Sequence, residues 1–323
     1  MARKSWMYAV LEAVQAEMRK DKSMVWLFEL TPPVASTPGK PVINLEKEFG
    51  RIRVNNTGID EMWMAGATLG CGLAGVKAVT YIPYQGNGMC FQMIQNHAGK
   101  LRHMTGGDAA MPIVFILEMT GQTPGFAGQH SDYEIDTYYA HIPGVKTVIP
   151  STPTDAKGMM VSAIRDPNPV VYLYPAGLRE MMEDVPDEQY TTPLDKAAIR
   201  TEGNDITIVG SGGGMPEVLK AATQLQSSGM KVETIDLRCF KPMDTETLVK
   251  SVQKTKRLLT VDQSYYTLCP GAEVIARVAE NVDGVRFKRI AFPDAPPPAS
   301  PEMFLWMRPN ADHIVKAASQ LVG

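Results

Sequence analysis

Short β-branched runs alternate with helix-period stretches almost throughout the chain, and that rhythm restricts it to parallel sheets covered by helices. In the first part, strands are predicted over Met24–Phe28, Ala78–Ile82, Ile113–Leu117, Thr147–Ile149 and Val170–Tyr174. Between them, Glu61–Ala74, Gly88–Met104 and Thr152–Ile164 carry apolar residues at helical spacing, the last behind a Ser-Thr-Pro-Thr-Asp start signal. A polar, proline-bearing stretch follows from about Glu180 to Asp205, and the rhythm then restarts. Strands are expected at Ile206–Val209, Val232–Leu237, Leu258–Val261 and Val285–Ile290. Helices are expected at Pro216–Leu225, Thr245–Val252, Ala272–Val282 and Ala311–Leu321. The expected fold class is therefore α/β, with two doubly wound parallel-sheet domains: residues 1–185, a linker 186–204, and residues 205–323.

With 32 basic and 35 acidic residues the formal charge is −3, which gives no reason to expect nucleic acid or an anionic membrane as a partner. The four cysteines stand far apart, form no CxxC pair, and read as small buried hydrophobes. Glu12 and Glu17 interrupt the apolar residues near the N-terminus, so that segment reads as an amphipathic helix and not a signal peptide. No run approaches the length of a membrane span, and a cytoplasmic location is the expectation.

Strand Ile206–Val209 runs into Gly210-Ser211-Gly212-Gly213-Gly214, and Asp236 stands about where a dinucleotide-binding acid would grip a ribose. A non-catalytic NAD-binding module is thus one reading. Met215 opposes it, because the third glycine of the fingerprint exists to let helix and strand pack without a side chain.

Other motifs point to chemistry. Asn56-Thr57-Gly58-Ile59-Asp60-Glu61 precedes a small-residue helix that ends Gly70-Cys71-Gly72-Leu73-Ala74-Gly75. Further on stand Asn96-His97-Ala98-Gly99-Lys100-Leu101-Arg102, Met104-Thr105-Gly106-Gly107, Gln129-His130-Ser131 and His141-Ile142-Pro143-Gly144. Asp155-Ala156-Lys157-Gly158, Ala163–Pro169, Ile235–Arg238 and Lys241–Asp244 complete the series. Taken in order, these segments resemble the beta subunits of thiamine-diphosphate-dependent 2-oxo acid and acetoin dehydrogenases, and the resemblance covers nearly the whole chain.

The resemblance implies a transketolase-type pyrimidine-binding domain followed by a transketolase-type C-terminal domain. It also implies a coenzyme shared with an alpha subunit, in an α2β2 assembly. The family's Gly-Asp-Gly motif, which holds Mg²⁺ and the diphosphate on the alpha subunit, does not occur here; Gly107-Asp108-Ala109 is the nearest approach. A diphosphate needs a divalent ion with hard oxygen ligands, so the chain alone is expected to be inactive.

A carboxylic acid bonded to a pyrimidine nitrogen promotes the tautomer that activates the coenzyme. By the family match that acid is Glu61. His130 is expected to contact substrate or move protons, Glu29 to join a proton path, and Tyr81 or Tyr84 to pack on the pyrimidine ring. Ile113, Ala163, Asp166 and Asn168 match positions that hold a potassium ion in some members, through carbonyl oxygens and one carboxylate. The expected acceptor is lipoamide on an acyltransferase component, and the expected substrate a small 2-oxo acid or acyloin. A split transketolase or related ketol transferase, sharing both domains, is the enzyme alternative. Departures from the family pattern at Phe28–Pro33, Asn56, Gly58, Tyr172–Pro175 and Phe292–Pro296 cluster in loops, where specificity resides, and imply a divergent member whose substrate need not be pyruvate.

Overall fold

The computed structural model describes residues 2–83, 86–119 and 135–323. Two compact units divide at Leu194/Asp195, with Asp136 and Thr137 grouped with the second.

In the first unit six strands run parallel in the spatial order Val54–Asn56, Val25–Phe28, Ala78–Ile82, Ile113–Met119, Val170–Pro175, Lys146–Val148. The central runs read as continuous apolar β-branched segments because both faces are covered: every residue of Ala78–Ile82 and of Ile113–Met119 is buried. One face carries the helices Trp6–Lys20 and Pro153–Arg165, where Trp6 stacks on Tyr174 at 4.8 Å and the Tyr172 hydroxyl donates to the Ala156 carbonyl at 2.8 Å. The helix Glu61–Leu73 covers the opposite face, since its Thr68 hydroxyl meets that of Thr80.

Strand order fixes where a ligand can enter. From Val25–Phe28 the chain passes to Val54–Asn56 on one side and then to Ala78–Ile82 on the other. The crevice beyond Phe28 is therefore a topological switch point, the usual ligand position in an open α/β sheet. Glu29 is the next residue.

The stretch expected to be one helix, Gly88–Met104, is broken. A short helix Gly86–Met89 is followed by a π-helical turn, Met93–Ala98, and then Gly99–Met104. The cause is a backbone crossing: a Cβ on Gly99 would lie 2.8 Å from the Pro143 carbonyl oxygen, and one on Gly144 would lie 1.9 Å from that of Gly99. The N-terminal segment also opens on a strand, Ala2–Ser5, paired antiparallel with Met182–Val185, before its helix begins.

The second unit has the order Ala198–Thr201, Val232–Asp236, Ile206–Gly210, Arg257–Tyr265, Arg286–Phe292, parallel except for the first strand. Ile208, Val218, Leu225, Val232, Leu259, Ile314 and Leu321 are among its buried core. The expected linker 186–204 is not all linker. Ala198–Thr201 adds an edge strand, which the charged neighbours of Ile199 masked because only an edge position tolerates them. Pro186 and Asp187 in turn offer carbonyls to the buried Lys157 ammonium in the first unit. Among the described residues, no helix is long and apolar enough to cross a membrane.

Candidate active site

The switch point of the first unit gathers three carboxylates. Glu29, 1% exposed, follows the strand Val25–Phe28, which is paired on both sides and fixes its position. The neighbouring strand ends at Asn56, whose side chain accepts the Gly58 N–H at 3.2 Å, and Thr57 donates its N–H to the Phe28 carbonyl at 3.0 Å. Gly58 sits at φ +72°, a left-handed conformation that a side chain would strain. This tight turn delivers Asp60 as the helix cap, accepting the Trp63 N–H at 2.9 Å, and Glu61 as the first helical residue. Asp60 also donates its own N–H to Glu29 Oε2 at 3.2 Å.

Burial pushes the Glu29 carboxyl up to about 7, and the charges of Glu61 and Asp60 act in the same direction against the Asp60 N–H bond. Glu61 itself is half-buried. Its charge also reaches Cys90, a buried thiol that burial pushes up to about 12 and that lies 3.3 Å from the Tyr139 hydroxyl. A buried acid that holds a proton near neutral pH beside a second, more accessible one is an arrangement for proton exchange with a bound heterocycle.

Other expected site residues fall differently. Tyr81 is buried on the sheet face opposite Thr80 and the Glu61 helix, because successive strand residues alternate faces. Its hydroxyl donates to Glu118 and its ring lies 6.2 Å from that of Tyr174. It is a core residue, and the structure does not bring it to the acid pair. Tyr84 and His130 lie outside the described residues.

Ala163, Asp166 and Asn168 share one turn beside Ile113, as the potassium expectation requires. The carboxylate is already satisfied, however: Asp166 pairs with the Lys146 ammonium and accepts both the N–H and the amide of Asn168 at 2.9 Å. Arg102 donates to Asn168 Oδ1 at 2.6 Å. In this structure the Asp166 carboxylate, expected as the cation's charged ligand, is the ion-pair partner of Lys146.

The glycine-rich turn of the second unit is a packing device. Met215 is buried, with its sulfur 3.1 Å from where a Cβ on Gly210 would stand. Asp236 is fully buried and held by Arg200 at 2.6 Å, so the acid that would bind a ribose is already engaged. Nothing there favours NAD.

Sequence reasoning gave Asp60 no role of its own, although an aspartate directly before a helix start is a local signal. The contact between Cys90 and Tyr139 is made only by tertiary folding.

A two-domain α/β protein with a buried acid beside a half-buried one at its first switch point is what the fold and site define. Residues 2–180 match the transketolase pyrimidine-binding domain and residues 195–314 the transketolase C-terminal domain. The chain is 33% identical to the beta subunit of acetoin:2,6-dichlorophenolindophenol oxidoreductase of Bacillus subtilis, over 98% of this chain and 96% of that one. It is 32% identical to the beta subunit of the pyruvate dehydrogenase E1 component of the same organism, over 100% of this chain and 99% of that one. A split-gene transketolase, solved as an inactive beta4 tetramer, shares the fold, with a TM-score of 0.79 at 19% identity over 97% of each chain. The chain belongs to the transketolase-type family that includes the beta subunits of pyruvate dehydrogenase and acetoin oxidoreductase.

Proposed function

We propose that this chain is the beta subunit of a thiamine-diphosphate-dependent dehydrogenase acting on a small 2-oxo acid or acyloin. One observation carries the reading: Glu29 is buried beside Glu61 at the switch point, where a heterocycle with a ring nitrogen can meet a carboxyl group. When bound, thiamine diphosphate supplies a carbon nucleophile for the substrate carbonyl. Glu61, in the first turn of its helix and half-buried, holds the proton at the pyrimidine nitrogen. Glu29, the residue after the strand Val25–Phe28, would store a second proton and replace it. His130 would complete the proton traffic at the substrate.

The donor set fits the pyrimidine end of the coenzyme and not its diphosphate. Among the described residues, the charges acting on Glu29 are those of Glu61 and Asp60, both negative. An anionic diphosphate therefore needs Mg²⁺ and positive groups from an alpha subunit, which an α2β2 assembly would supply. A potassium ion, if part of the assembly, would rest on the main-chain carbonyls of Ile113, Ala163, Asp166 and Asn168. Transfer to lipoamide on an acyltransferase completes the proposed reaction.

The test is Glu61→Gln in the complex with the alpha subunit, assayed for decarboxylation or acyloin cleavage with an artificial electron acceptor. Turnover should fall by at least ~100-fold, the scale of a lost acid–base group, with the fold intact by circular dichroism. Near-wild-type turnover would remove the assignment.

A further inference from the structure

The turn that delivers Glu61 contains a carboxylate to which the proposed chemistry gives no task. Asp60 is exposed, yet it meets Glu29 through its main chain and directly precedes Glu61. Its side chain caps the helix Glu61–Leu73 through the Trp63 N–H at 2.9 Å, and so fixes the first turn, in which Glu61 stands. Its main-chain N–H reaches the buried Glu29 carboxyl at 3.2 Å. Capping requires the residue to leave helical geometry, and Asp60 does so at φ −161° and ψ 88°. Cap and contact with Glu29 are two consequences of one backbone conformation.

Charge and hydrogen bond act on Glu29 in opposite directions. The N–H favours an ionised carboxylate, whereas the Asp60 charge favours a protonated one. The strands flanking Glu29 end in Asn56 and Ile82, which carry no charge, so Glu61 and Asp60 are the charged groups that act on it among the described residues.

We propose that Asp60 is a positioning residue for the acid pair: its cap pins its own N–H on Glu29 and seats Glu61, while its carboxylate sets a negative charge beside the buried Glu29. The proposal rests on the reading of Glu61 and Glu29 as the coenzyme-facing acids, and it adds the residue that holds them in place. Asp60 touches neither substrate nor reacting atoms; it acts through its neighbours.

The experiment is an infrared titration of the full chain without coenzyme, following the protonated-carboxyl band that Glu29→Gln abolishes. Asp60→Ser and Asp60→Asn keep a capping oxygen and remove the charge. Both should lower the Glu29 midpoint by about half a pH unit or more, roughly threefold in its ionisation constant. Asp60→Ala removes the cap as well, so the N–H is no longer pinned and the midpoint should return above that of Asp60→Ser. A wild-type midpoint in Asp60→Ser, or an Asp60→Ala midpoint coinciding with that of Asp60→Ser, would overturn the proposal. Because this titration needs no turnover, a shifted midpoint together with a fully active Glu61→Gln complex would sink the catalytic reading and leave the effect of Asp60 on Glu29 standing.

Discussion

Replacing Glu29 by glutamine should make the chain more stable in alkali and leave it unchanged in acid. In the folded chain the Glu29 carboxyl is raised from its ordinary value of 4.5 to about 7, chiefly by burial. Between those values the folded state binds more protons than the unfolded one, so stability falls as pH rises through the window. Below about 4.5 no penalty exists; above about 7 it is complete. At 1.36 kcal/mol per pH unit the full penalty is about 3 kcal/mol. Glutamine is nearly isosteric, keeps an oxygen for the Asp60 N–H and cannot ionise, so Glu29→Gln recovers about 2–3 kcal/mol at pH 8 and close to nothing at pH 4.5. Urea unfolding followed by tryptophan fluorescence suits the test, because Trp6, Trp26 and Trp63 all lie in the first unit with Glu29. A stability difference that is the same at both pH values would refute the burial argument, and a variant less stable at pH 8 would reverse it.

Further consequences follow from the same packing. The ammonium groups of Lys4 and Lys157 are fully buried and both reach Glu12 Oε2 at 2.7 Å. Glu12→Gln leaves Lys157 without its carboxylate and Lys4 with Asp187 alone, at 2.8 Å, so a loss of about 3 kcal/mol is expected in urea unfolding. Leu30, next to Glu29, stands at φ 55° with its side chain 52% exposed. Leu30→Gly should relieve about 1 kcal/mol of left-handed strain, read as a higher unfolding midpoint.

The regular parts of the fold were legible because each central strand is buried on both faces and so reads as an uninterrupted apolar run. Edge pieces were not. Val54–Asn56 and Ala198–Thr201 carry charged or polar neighbours that resemble loop sequence, and only pairing makes them strands. The break within 88–104 was equally hidden, since it depends on Gly144 arriving against Gly99 from 45 residues away in the chain. Glu29 and Glu61 could be named from motifs, but not their coupling, which exists because Asn56 and Phe28 end adjacent strands. Tyr81 was a candidate because the family resemblance points to an aromatic run there, whereas the face it occupies depends on strand parity, which the Thr80–Thr68 contact settles.

On the proposed reading, in which the coenzyme is shared with a partner subunit, the arrangement of charge gives a reason to divide the site between chains. A carboxyl that must donate and recover a proton near neutral pH needs burial and like-charged neighbours, and Glu29, Asp60 and Glu61 supply both. The same negative field repels a diphosphate, so one surface cannot perform both tasks without cancelling the shift that makes the acid useful. Cations carried by a second polypeptide would stay away from the acid pair until assembly. On this reasoning, partner binding should lower the Glu29 midpoint only slightly, whereas a lysine introduced at Ile59, 69% exposed in the same turn, should lower it in the isolated chain.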